Sequence, residues 1–115
     1  MSVPAAEELL RHMLDAATQA TIYVEGLAKE DFLDDKRTQQ AVILNIIILG
    51  EAATKLMDHH PATVAAMPDI EWRSMRGIRN RIAHGYYDIN LEVVWETVSS
   101  ALPELVARLS SLVIK

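Results

Sequence analysis

A chain of 115 residues can bury one hydrophobic core but has no room for two comfortable ones. Half of it is hydrophobic and only 5% aromatic, so the core has to be built from Leu, Ile, Val, Ala and Met, which favours helices over a sandwich of strands. The lack of cysteine excludes disulfides, thiolate metal sites and a cysteine nucleophile together, and a formal net charge of -5 excludes a protein that grips nucleic acid over its whole surface.

The opening stretch MSVPAAEELL has neither the basic nor the apolar region of a secretory signal, and no apolar run approaches the ~18 residues of a membrane span. A soluble, cytoplasmic protein with no membrane partner is expected. No repeat, low-complexity tract or Gly/Ser-rich linker interrupts the chain, so residues 1–115 read as one domain.

Ser2, Pro4 and the acids Glu7 and Glu8 read as a helix start, and Leu10, Met13, Ala17, Ala20, Val24 and Leu27 recur at helical spacing. The first helix is therefore expected from about Pro4 to about Ala28. After KEDFLDD, a second helix runs from about Asp35 until Pro61 stops it. Its middle, Val42 to Leu49, is apolar except at Asn45; a buried strand is a rival there, but the flanking helix formers make the element too long for one. A helix apolar all round must be covered all round, and in so small a chain the expected cover is a second copy, making a homodimer whose interface includes this helix.

PATVAAMP, bounded by two prolines, reads as a loop or single helical turn. Asp69 is the expected cap of a third helix, IEWRSMRGIRNRIAH, ended by Gly85. Asn90 is the expected cap of a fourth, LEVVWETVSSALPELVARLSSLV, with Val94, Val98, Leu102, Leu105 and Leu109 along one stripe and a bend or break at Pro103. The predicted fold class is all-α, an antiparallel bundle of four main helices.

The residues that stand out are RNRIAHGYY, positions 79 to 87, in a segment where Arg73, Arg76, Arg79 and Arg81 face one acid, Glu71. Arg79 and His84 are five steps apart, so they diverge by roughly 140° around an ideal helix, whereas Asn80 and His84 form an i, i+4 pair with Arg76 continuing the row. A joint site for Arg79 and His84 needs a loosened helix end or a second surface closing over both. Chemically the set suits metal-free RNA cleavage. An ordinary imidazole titrates near ~6.5 and can move the proton of a ribose 2′-hydroxyl, while an arginine fork can hold the charge that gathers on the phosphate. The bland alternative is that His84 caps helix carbonyls, the arginines are solvated and the tyrosines pack back on the bundle.

Arg79, four residues, His84, one residue, Tyr86 resembles the R-x4-H-x-Y arrangement of the HepT-like toxins of the HEPN superfamily. The surrounding FLDDKRTQQAVILNIIILGEAATKL, IEWRSMRGIRNRIAHGYYDINLEVVWETV and LPELVARL are similar to that family in order and spacing. The resemblance implies an all-helical homodimer whose motif helices share a cleft, acting as a metal-independent ribonuclease without cofactor. Arg79 and His84 would then be the catalytic pair and Asn80 the adjoining polar residue, with Arg76 and Arg81 as RNA contacts. It also implies a partner, a minimal nucleotidyltransferase antitoxin that transfers AMP to Tyr86, with Tyr87 the neighbouring hydroxyl. The rival reading is a non-catalytic interaction module that binds such a transferase.

Other polar residues read as structural. Glu51 is expected to pair with an arginine of the third helix rather than to act directly. His59 and His60 read as C-terminal caps, and Trp72 and Trp95 as core or interface anchors.

Overall fold

The computed structural model describes residues 3–113, and of Tyr86 and Val113 the backbone alone. Among the described residues there is no strand. The helices are α1 (Ala6–Tyr23), α2 (Lys29–Leu33), α3 (Lys36–His59), α4 (Pro61–Ala65), α5 (Trp72–His84), α6 (Leu91–Glu96) and α7 (Leu102–Val113). A 3-10 turn at Tyr86–Asp88 follows α5, and a π-helical stretch at Thr97–Ala101 joins α6 to α7. The four predicted helices are α1, α3, α5 and the continuous α6–α7.

Two boundaries differ from expectation. Ser2 lies outside the described residues, and α1 stops at Tyr23 rather than near Ala28. Gly26 takes φ 77°, a left-handed conformation that costs glycine little and ends the helix. The chain restarts at once as α2, where the Asp31 carboxylate accepts the Ala28 N–H at 3.0 Å. Asp69 does not cap α5; Glu71 occupies that position without a side-chain bond, and the Trp72 indole N–H holds the entry by donating to the Met67 carbonyl at 3.0 Å.

Other ends follow their local chemistry. Asp35 caps α3 by accepting from the Thr38 N–H at 3.1 Å, and its hydrogen bonds from Thr38 hold the carboxyl below its ordinary range. Asn90 caps α6 through the N–H groups of Glu92 and Val93. Pro103 has no N–H and would clash with a carbonyl one turn earlier. The helix accommodates it by widening, so that the Leu102 N–H reaches the Thr97 carbonyl and the chain continues. His60 does not cap α3 with its ring; that ring sits 2.9 Å from the Pro4 carbonyl and ties the end of α3 to the start of α1.

α3 packs on α1 and α5, and α7 closes over α1. The Pro4–His60 contact makes α1 and α3 antiparallel, and the pairing of Asp58 with Arg76 and of Glu51 with Arg79 does the same for α3 and α5. Ala16, Ala17 and Ala20 of α1 and Ala52 and Ala53 of α3 are buried, and their small side chains let the helices approach. By length and composition α3 could cross a bilayer, contrary to the expectation that no apolar run is long enough; here Val42, Ile43, Ile46, Leu49 and Leu56 are buried in the bundle. α5 rests on α3, and beside it a cavity of about 280 Å³ opens toward α7, lined by Leu49, Met75, Ile78, Leu102 and Leu105.

Two helix-interior glycines have opposite surroundings. A Cβ on Gly50 would lie 2.5 Å from Arg79 Cβ and 3.0 Å from the Met75 carbonyl, whereas one on Gly77 would meet nothing within 4 Å. Gly50→Ala is therefore expected to destabilise by about 1–3 kcal/mol through forced separation of α3 and α5. Gly77→Ala is expected to stabilise by about 0.5–1 kcal/mol, as alanine does in an open helix position. Urea unfolding of the two variants checks the opposite signs.

Candidate active site

α5 is a two-faced helix, and its arginines divide between the faces. Trp72, Met75 and Ile82 are buried against the bundle, and Arg76 and Arg79 lean the same way onto α3. Arg76 Nη2 donates to Asp58 Oδ1 at 2.6 Å and toward the Thr54 carbonyl at 3.4 Å. Arg79 Nη2 donates to Thr54 Oγ1 at 3.2 Å, and its Nε lies 3.4 Å from Glu51 Oε1. The Glu51 reading thus holds: the carboxylate faces an arginine of the third helix.

Glu51, Thr54 and Asp58 recur at i, i+3 and i+7, so α3 turns one polar row toward two arginines themselves three residues apart. Thr54 was not singled out from the sequence; that row spacing is the signal that would have found it. The Arg79 side chain keeps 24% of its exposure, and its Nε has no hydrogen bond of its own among the described residues. Thr54 takes one N–H of the fork and the buried Nε faces Glu51, so an oxyanion could be met only by the remaining N–H groups of the two terminal nitrogens.

Asn80, Arg81 and His84 stand on the other side, all exposed. With Asp88, Asn90 and the apolar Ile82, Ile89 and Val93 they line a groove of about 510 Å³ at the C-terminal end of α5. Gly85 ends the helix as expected, its N–H bonded to the Arg81 carbonyl at 3.2 Å, and the chain folds into the 3-10 turn through a bond from the Asp88 N–H to the Gly85 carbonyl at 3.0 Å. Tyr86 opens that turn, and its side chain lies outside the described residues. Tyr87, beside it, is 99% exposed.

The structure therefore brings His84, Asn80 and Arg81 to one groove and places Arg79 and Arg76 in another setting, against α3. Within one chain the R-x4-H pair does not share a pocket, because α5 stays regular through His84 and the half-turn divergence persists. Among the described residues no group of three or more His, Asp or Glu is placed to hold a metal ion.

The chain matches the ribonuclease HepT-like family over residues 13–112 and belongs to it. The probable ribonuclease HepT of Thermococcus cleftensis is 30% identical over 92% of this chain and 94% of its own length. A protein of Caldanaerobacter subterraneus subsp. tengcongensis designated a candidate RNase is 29% identical over 84% of this chain and 83% of its own. One from Methanocaldococcus jannaschii with the same designation is 28% identical over 79% and 73%. No solved structure matches the chain significantly.

The half-exposed Glu51 carboxylate limits what its ion pair contributes. Glu51→Ala is expected to cost less than about 1 kcal/mol. Arg79→Ala is expected to cost roughly 1–3 kcal/mol, since it also removes the side-chain stem packed over Gly50. Urea denaturation of both singles and the double variant measures the two terms and their coupling.

Proposed function

We propose that the protein is the toxin of a toxin–antitoxin pair, a metal-independent endoribonuclease that works as a homodimer in the cytoplasm. The observation that carries the reading is the placement of the motif: in a chain of this family, His84 stands open in a groove while Arg79 is held against α3 with part of its side chain exposed. His84 takes the proton of a ribose 2′-hydroxyl, whose oxygen forms a bond to the adjacent phosphorus. The bond from phosphorus to the 5′-oxygen breaks, and that oxygen takes up a proton from an imidazolium. Arg79 balances the charge on the nonbridging oxygens, and Asn80 adds a neutral donor.

Since one chain keeps Arg79 and His84 on diverging faces, the reading assigns the reaction to a cleft between two copies. Leu44 at 56% and Ile48 at 41% exposure form a short apolar strip on the outer side of α3, one turn before Glu51, and suit such an interface. Sedimentation is expected to give a dimer at micromolar concentration, and Leu44→Glu with Ile48→Glu a monomer without activity.

Purified protein freed of antitoxin and incubated with RNA in EDTA is expected to leave 2′,3′-cyclic phosphate and 5′-hydroxyl ends and to spare DNA of the same sequence. His84→Ala should abolish cleavage, and Arg79→Ala should lower the rate by about 10²-fold or more. Equal slow decay with the unaltered protein and with His84→Ala would favour the non-catalytic interaction module instead.

Control is assigned to Tyr86. The antitoxin, a nucleotidyltransferase, moves AMP from ATP to the tyrosine hydroxyl and releases pyrophosphate. The added phosphate, two residues from His84, would pair with nearby arginines and occupy the space of the RNA phosphate. Tyr86→Phe is expected to escape neutralisation and to show no adduct by mass spectrometry; an adduct retained in that variant would move the site, with Tyr87 the next position to map.

A further inference from the structure

We infer that the outer face of α5, centred on Gly77 and flanked by Arg73 and Arg81, is the track on which the RNA backbone lies. The inference rests on the ribonuclease reading and adds to it two residues, Arg73 and Gly77, that the motif does not contain.

The face is defined by helix geometry and exposure together. Arg73, Ser74, Gly77, Asn80, Arg81 and His84 fall within roughly 120° of arc, with Gly77 near its middle. All six are exposed. Arg79 points almost directly away from it, toward α3. From Arg73 to His84 the strip runs ~16 Å along the axis and ends at the proposed catalytic imidazole.

Charge on this helix is sorted by face. The inner cations Arg76 and Arg79 are met by Asp58 and Glu51. The outer cations Arg73 and Arg81 form no ion pair or hydrogen bond among the described residues, and no acid stands within the arc. A chain with net charge -5 thus keeps one helix strip whose own charged residues are all cationic and unpaired, with Asp88 across the groove at its His84 end and Asp69, Glu71 and Glu104 beside Ser74 at its edge. Its natural complement is a polyanion.

Gly77 indicates how closely that complement approaches. A glycine in an exposed helix interior destabilises the helix relative to alanine. Gly50 has a reason inside the chain, the contact with Arg79, but a Cβ on Gly77 would meet nothing within 4 Å. The bare backbone therefore serves something outside the chain. A second α5 crossing there in antiparallel two-fold fashion would set Arg73 against another Arg81, like charges in contact. A ribose–phosphate backbone meets both arginines favourably and gains van der Waals contact with the helix where the side chain is missing.

The test measures binding of a labelled single-stranded RNA by fluorescence anisotropy in EDTA, in the His84→Ala background so that the probe survives. Arg73→Ala and Arg81→Ala should each weaken binding roughly threefold to fivefold and flatten the slope of log K against log salt by about 0.7. Arg11→Ala, which alters an exposed arginine of α1, should change neither. Gly77→Leu should weaken binding by about tenfold or more while the melting temperature does not fall. Parental affinity in both Arg73→Ala and Gly77→Leu would overturn the track. A Gly77→Leu that changes the sedimentation coefficient but leaves RNA affinity intact would assign the glycine to a protein contact and also overturn it; where both change, Arg73→Ala decides. Unaltered protein that neither binds nor cleaves RNA would remove the ribonuclease reading itself, whereas normal cleavage with indifferent Arg73 and Gly77 variants would remove the track alone.

Discussion

Where α3 passes α5, Gly50 leaves no room for even a methyl group between the helices, and Arg79 Cβ occupies the space a side chain would have taken. That approach fixes the register of the antiparallel pair, because the polar row of α3 can meet the arginines of α5 only when Gly50 lies under Arg79. Glu51 and Thr54 then meet Arg79, and Asp58 meets Arg76. Two cations are held on the inner side of α5 by a packing requirement, and the opposite side is left to solvent. A larger residue at position 50 would disturb both the core and the orientation of the guanidinium proposed to stabilise the transition state.

The same register explains why the chemistry is divided. Five residues along a regular helix turn the side chain nearly halfway round, so holding Arg79 on α3 sends His84 outward. Gly85 then stops the helix directly after the histidine, and the 3-10 turn begins at Tyr86. The motif spacing is thus a way of building one residue into the bundle and offering the other to a ligand. An arginine anchored by neighbours loses less conformational freedom when it binds a phosphate than a solvated one would, an advantage of prior positioning that a surface arginine lacks.

Local chemistry was legible in the sequence where one residue decides the outcome. Asp35 and Asn90 cap the helices they precede, Gly85 ends α5, and the long apolar run of α3 forms a helix rather than a strand. The Glu51 partnership was legible because a carboxylate beside an apolar run needs a cation. What escaped depends on tertiary contacts. Nothing in the composition around Gly26 announces a left-handed turn, so the first helix read on to about Ala28, and α2 read as part of the connection KEDFLDD. Asp69 has the chemistry of a cap, but its backbone carbonyl is taken by the Arg108 guanidinium and the chain enters α5 two residues later. Pro103 signalled a disturbance without showing that the helix would absorb it as a π turn. The divergence of Arg79 and His84 followed from helix arithmetic alone; which of them faces inward required α3.

An acidic protein that handles RNA is not a contradiction once charge is considered by face rather than by sum. At physiological salt the Debye length is about 8 Å, so a phosphate lying on α5 responds mainly to the groups nearest it, and carboxylates elsewhere on the bundle are largely screened. Asp58 and Glu51 are taken up by the inner arginines and so are not placed to neutralise Arg73 and Arg81 on the opposite face. The remaining negative charge of the chain then opposes non-specific adhesion of the polyanion to the rest of the surface. Under the proposed reading, a ribonuclease arranged this way would engage its substrate where the histidine stands and repel it elsewhere, so that selectivity for position on the protein would precede any selectivity for sequence.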